Sequence, residues 1–316
     1  MEQQQVRQLL PAGAVKYFDD IVEERVLGSS NHSALIAKMF LAISQQSWNQ
    51  EEKLSRIQAV KKYFMEKRGQ DSYAIITSLN LMTKGIENCD DLASLLERNI
   101  EDYTKDTKLS KDLIATYTNS LLKDKYTVMV FDYSSTVEKA IAQVDHKLKV
   151  YVPESRAIDG GKPFVQAFLQ AQHEVCFILD VAMLSVLKEC DAVFIGAETF
   201  YRDGTAFNTI GSSILAELCA NYKIPYYVLT PMIKLDSRYT YQSRKKAKIH
   251  DLSDKLSQGW QAIDVKQVNF ETIEMDAVEP RLITAYVSEQ GITAINDLEK
   301  IAKAYDEAIN GGKEHV

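Results

Sequence analysis

Along the middle of the chain, polar and ionisable groups repeatedly follow a short run of β-branched and aromatic residues. YTVMVF (126–131) is followed by Asp132, Tyr133, Ser134 and Ser135, and LKVYV (148–152) by Glu154, Ser155 and Arg156. EVCFIL (174–179) is followed by Asp180, AVFIG (192–196) by Glu198, and PYYVL (225–229) by Thr230 and Lys234. Cations such as Arg156 and Lys234, set among Glu198 and several hydroxyls, suit a phosphorylated, polyhydroxylated ligand. Asn208 stands at the expected start of a helix carrying Ile210, Ile214, Leu215 and Leu218. A helix N-terminus there offers free N–H groups and a positive dipole end to an anion. The competing reading is plainer: loops are polar, and Asn208 can serve as a cap alone.

These groups matter only if the chain brings them to one edge. The apolar runs are separated by amphipathic stretches long enough for helices, which implies βαβ units, a parallel sheet and right-handed crossovers. Residues 123–316 therefore read as a Rossmann-like α/β domain. In such a sheet a ligand sits outside the carboxyl ends of the strands, where every residue named above falls. Within GAETFYRDGTAFNTIGS (196–212), Gly196 and Ala197 let a strand end close to a ligand, and Tyr201 to Thr205 form a tight excursion turning at Gly204.

Residues 1–122 have a different period. Leu35, Ile36, Met39, Phe40 and Ile43 form one helical stripe, Leu54, Ile57, Val60 and Phe64 a second, and Leu92, Leu95, Leu96 and Ile100 a third. Ser110 is expected to cap a further helix with Leu113, Ile114, Tyr117 and Leu121 inside. This half reads as an all-α domain.

Composition narrows the function classes. The chain has 316 residues, 46% of them hydrophobic, enough for full cores in two domains. A net charge of −7 argues against a generic nucleic-acid binder. SRKKAK (243–248), its one basic run, reads as a solvated loop. The opening MEQQQVRQLL is polar, and no stretch approaches the roughly 18 apolar residues of a membrane span, so a cytoplasmic protein without membrane contact is expected. Cys89, Cys176, Cys190 and Cys219 are scattered and read as reduced thiols, with no metal site suggested. GxGxxG after the first strand, GxxxxGK[ST], GxSxG and HExxH are all absent, and no cofactor is expected.

Four ordered stretches carry a family resemblance: FDYSSTVEKAI (131–141), VPESRAIDGGKPF (152–164), CDAVFIGAETFYRDGTAFNTIGSSILAELCANYKIPYYVLTPMIKLD (190–236) and EPRLITAYVSEQGI (279–292). Together they resemble the family that unites the α, β and δ regulatory subunits of initiation factor 2B with isomerases acting on ribose-1,5-bisphosphate and methylthioribose-1-phosphate. The resemblance implies a helical N-terminal domain, a Rossmann-like C-terminal domain, a ligand in the crevice between them, and homodimers or higher oligomers. The isomerases of that family use a cysteine after the first strand and an aspartate in a GAD motif. Here those positions are matched to Tyr133 and Glu198, and a phenol is the poorer proton acceptor near neutrality. Thr209 and Leu27-Gly28 replace two basic contacts of the isomerases, while Arg68 and Lys234 remain where the family places cations. The strand-end reading and the resemblance together nominate Gly28, Ser29, Arg68, Ser134, Ser135, Arg156, Asn208 and Lys234 as ligand-binding residues.

Two functions follow from the same residues. One is a regulatory, assembling protein, similar to the initiation-factor subunits, that binds a phosphorylated sugar or nucleotide without turnover. The other is an aldose–ketose isomerase of a sugar phosphate in which Tyr133 and Glu198 share proton transfer.

Overall fold

The computed structural model describes residues 2–23, 25–26, 28–69, 72–247, 249–260 and 265–310. Leu27 and Lys248, both part of the sequence reading, lie outside the described residues. The chain divides into two compact units, Met1–Leu109 and Ser110–Val316.

The first unit is helical: α1 (Gln3–Gln8), α2 (Ala12–Val22), α3 (Ser29–Ser44), α4 (Gln50–Lys67), α5 (Tyr73–Met82) and the start of α6 (Leu92–Leu122). Its helices form for local reasons. The Asn49 side chain accepts the Glu52 N–H at the start of α4, with Glu51 and Glu52 in the positively polarised first turn. Ile57, Val60 and Phe64 then recur on one face, and Phe64 meets Phe18 of α2 edge-on, ring centroids 5.5 Å apart. Ile36, Met39, Phe40 and Ile43 of α3 complete this core.

Ser110 does not start a helix. It lies within the unbroken α6, because EDYTKDTKL (101–109) is polar but contains no Gly or Pro to stop the helix. The boundary drawn from composition at 122 is the end of α6, whereas the compact units divide at 109. Ile114, Ala115 and Leu122 explain the earlier division, since they pack in the core of the second unit.

The second unit continues as β1 (Thr127–Phe131), α7 (Ser135–Ala142), β2 (Lys149–Pro153), α8 (Lys162–Gln170), β3 (Glu174–Ile178), α9 (Met183–Leu187) and β4 (Ala192–Ile195). Next come β5 (Thr199–Tyr201), β6 (Ala206–Thr209), α10 (Ser212–Tyr222), β7 (Tyr226–Leu229), β8 (Leu235–Asp236), β9 (Ile249–Asp251) and α11 (Ser253–Leu256). β10 (Glu271–Ile273), β11 (Met275–Val278), β12 (Ala285–Ser288), β13 (Gly291–Ala294) and α12 (Ile295–Asn310) complete it. The main sheet runs β13-β12-β7-β4-β1-β2-β3, parallel except for β13. From β3 inward the order is that of a doubly wound sheet, with the reversal of strand order between β1 and β4.

Alternation along the strands feeds two cores. Val128, Val130, Val150, Val152, Phe194 and Leu229 face one side with α7, α8 and the end of α6, while Met129, Phe131, Val193, Ile195 and Val228 face the other with α9, α10 and α12. Each such side chain contributes roughly 1.5–3 kcal/mol on burial. A smaller sheet, β11-β6-β5-β8, stands after β4. Its β5–β6 pair is antiparallel, and the turn passes through Gly204 at φ +87°, where a side chain would be strained. The expected excursion at Gly204 is therefore present, but β6 extends it through Asn208.

Candidate functional site

The carboxyl end of β1 is the centre of the second unit's polar edge. Asp132, the first residue after the strand, is 5% exposed and adopts φ +59°, a left-handed conformation that costs a non-glycine residue roughly 1–2 kcal/mol. That backbone turn points the carboxyl into a nest of hydroxyls. Thr209 Oγ1 donates to Oδ2 at 2.7 Å and Ser155 Oγ to Oδ1 at 3.3 Å, with the Tyr133 N–H also donating. Gly160 closes the other side, where a Cβ would lie 2.0 Å from Oδ1. Burial pushes the Asp132 carboxyl up to about 6 against these hydrogen bonds, and the neighbouring Glu198 charge adds to the rise.

Glu198 follows β4 and is half-buried. Its backbone N–H donates to Phe207 O at 2.9 Å and fixes the loop. Its carboxylate has no hydrogen bond or ion pair among the described residues, so it is not an acceptor that shapes the loop. A protonatable Asp132 beside a carboxylate free to meet a ligand can hold a proton and pass it on.

Tyr133 is placed differently. Its ring packs against Phe164, centroids 5.4 Å apart, and is 41% exposed. Its hydroxyl bonds to Glu138 of α7, and burial, then the Glu138 charge, raise its pKa. The acid within electrostatic reach of Glu198 is Asp132, one residue earlier. In the sequence Asp132 is one of several polar residues after the strand, with no motif to single it out.

Ser134 caps α7, its Oγ accepting the Val137 N–H at 3.4 Å. Ser135 Oγ accepts from Lys111 Nζ at 3.0 Å. Lys234 lies in a short helical turn after β7, and its Nζ donates to the Ala197 carbonyl at 2.7 Å. Lys111 was not foreseen: burial, then repulsion from Lys234 and Lys139, lower its pKa. Among the described residues neither Lys111 nor Lys234 forms an ion pair, whereas Lys139 is paired with Asp112. Thr230, at the end of β7, has a buried hydroxyl without a hydrogen-bond partner among the described residues.

Asn208 is not a helix start. It lies in β6 opposite Asp276 of β11, its Nδ2 donates to Ser212 Oγ at 3.0 Å, and α10 begins only at Ser212. The helix end that would have offered itself to an anion already has one, because Ser213 Oγ donates to Asp276 Oδ2 and the Ser213 and Gly211 N–H groups stabilise the same carboxyl. Burial outweighs them and leaves the Asp276 pKa raised. Arg156 is exposed: its backbone N–H bonds Asp180 and its guanidinium lies 3.9 Å from Asp159.

Gly28, Ser29 and Arg68 belong to the first unit. Gly28 precedes α3 with φ +90°, and Ser29 is the buried first residue of that helix. Arg68 donates to the Ile21 carbonyl at 2.8 Å and lines a cleft of about 320 Å³ with Glu2, Gln3, Tyr63 and Lys67.

Among known proteins, the sequence profile of the Initiation factor 2 subunit family matches residues 26–295. The methylthioribose-1-phosphate isomerase 1 of Pseudothermotoga lettingae is 27% identical over 253 residues, covering 72% of this chain and 73% of that protein. The 5-deoxyribose 1-phosphate isomerase of Petrotoga mobilis is 26% identical over 282 residues, covering 81% of each. Among solved structures, the translation initiation factor eIF-2B of Pyrococcus horikoshii superposes with a TM-score of 0.77 at 18% identity, covering 92% of this chain and all of the other.

Proposed function

The chain belongs to the initiation factor 2 subunit family, and from that premise we propose that it isomerises an aldose 1-phosphate to the corresponding ketose 1-phosphate. The conversion opens the ring bond between C1 and O4, moves the C2 hydrogen to C1, and moves the C2 hydroxyl proton to O4, leaving C2 as the carbonyl. Atoms and electrons balance without an oxidant or a reductant. Two groups must take and return protons.

Asp132 and Glu198 fit those parts. Asp132, held near neutrality by burial, protonates the ring oxygen and recovers a proton from the C2 hydroxyl. Glu198, with a carboxylate engaged by no donor among the described residues, takes the C2 proton and returns it to C1. The observation that carries this reading is the pairing of a buried, protonatable Asp132 with Glu198 at the ends of β1 and β4, next to the reversal in strand order. The names of two relatives, both isomerases of a sugar 1-phosphate, support the substrate class. The pair reassigns to Asp132 the role first given to Tyr133.

The test is turnover. Purified protein is incubated with a panel of pentose 1-phosphates labelled with ¹³C at C2, and the expected result is a ketone resonance that grows with time and protein concentration. Binding across the panel without conversion would overturn the proposal. That outcome would favour the second reading, a regulatory protein holding a sugar phosphate or nucleotide in a homodimer or larger assembly. The lack of a thiol after β1 and the likeness to an initiation-factor structure speak for it.

A further inference from the structure

A ligand with a phosphate needs a place for two negative charges, and the helix end first nominated for them is filled by Asp276. The structure assigns the phosphate instead to Lys111 and Lys234, with the Ser135 hydroxyl between α6 and α7 as the neutral third contact. The assignment rests on the sugar-phosphate reading above, and adds to it a position in the molecule.

Four observations converge on these lysines. Both are partly buried, and they lie close enough to repel each other. Neither has a carboxylate within ion-pair distance among the described residues, in a chain with 44 acidic side chains to choose from. Both are instead held by neutral oxygens, Ser135 Oγ for Lys111 and the Ala197 carbonyl for Lys234. These oxygens fix the ammonium groups without neutralising them; the Glu138 charge reaches Lys111 but forms no ion pair with it among the described residues, the arrangement of a preformed anion seat rather than of a structural ion pair.

Glu289 links the two lysine-bearing segments. Its carboxylate accepts from Ser110 Oγ at 2.9 Å and from the Met232 N–H at 3.0 Å, and so ties the residue beside Lys111 to the turn that carries Lys234. The buried Thr230 hydroxyl, without a hydrogen-bond partner among the described residues, lies in the sequence between β7 and that same turn. Glu289 acts as a positioning residue, because it holds both lysine-bearing segments at the second unit's polar edge.

Inorganic phosphate is the probe. Its binding to the full chain, followed by calorimetry and by the rise in melting temperature, is compared in the wild type, K111M, K234M and D276N. Each lysine variant should weaken phosphate about tenfold or more, as expected for loss of a charge-assisted contact. D276N should bind as the wild type does. Without phosphate the lysine variants should melt at or above the wild-type temperature, because a mutual repulsion is removed; a structural role would lower it. K111R, which keeps the charge, checks that folding is intact and should retain most of the affinity. Wild-type affinity in folded K111M and K234M, or no phosphate binding by the wild type, would overturn the assignment. If phosphate binding depends on both lysines but no pentose phosphate is turned over, the seat stands and the isomerase reading falls.

Discussion

Two aspartates of the second unit, the buried Asp132 and the half-buried Asp276, have raised pKa values for the same first cause, loss of solvent around the carboxyl, yet they are built for different ends. Asp276 faces its own fold: it accepts from Ser213 and stabilises the start of α10, a position from which it displaces any external anion. Asp132 sits at a strand end in a strained backbone conformation, held by two hydroxyls and within reach of the charge of Glu198, whose carboxylate has no hydrogen bond or ion pair among the described residues. A capping aspartate stabilises the fold; an aspartate held at a structural cost beside a second acid is placed for chemistry.

The contrast is broken most sharply by Asp132→Asn. Turnover should fall by about 10²–10⁴-fold, the usual worth of a general acid or base. Stability should move the other way. Because the folded pKa is raised to about 6, the protonated carboxyl contributes stability that is complete below the ordinary carboxylate pKa near 4 and is lost as pH rises through 6. The swing is roughly 3 kcal/mol at most. Melting curves should therefore show D132N matching the wild type near pH 4 and exceeding it at pH 8.

Gly160→Ala should come next. Its Cβ would fall 2.0 Å from Asp132 Oδ1, so the carboxyl must move, at a cost of roughly 1–3 kcal/mol in chemical denaturation and with a drop in kcat. Asp276→Ala should cost about 1–2 kcal/mol through the lost cap while leaving kcat near its original value. A hundredfold loss of activity there would erase the distinction between the two aspartates. The smallest effect is expected of Tyr133→Phe, less than about threefold in kcat, since the hydroxyl bonds Glu138.

Much of the scaffold was legible in the sequence because its signals are local. Runs such as TVMVF and YYVL are β-branched and aromatic, their separations fit helices, and Gly204 marks its own turn. Asn208 was misplaced because what makes it a strand residue is β11, paired to it from nearly seventy positions away. Ser110 resembled a cap, since a polar run looks like an interruption when its helical continuity is set by residues on either side. At the site, the strand-end residues were identified as a group, but their individual roles depended on direction. Asp132 takes a left-handed turn and its carboxyl meets Thr209 and Ser155 within reach of the Glu198 charge, while the Tyr133 ring packs on Phe164. Lys111 had no motif to reveal it, being part of a long helix and brought to Ser135 only by tertiary packing.

The central claim is that Asp132 exchanges its proton near neutrality. ¹³C NMR of protein labelled at aspartate carboxyls, with the Asp132 resonance assigned by its absence in D132N, measures this directly. A titration midpoint near pH 6 is predicted; a midpoint at or below about 4, the value of an ordinary aspartate, would contradict it.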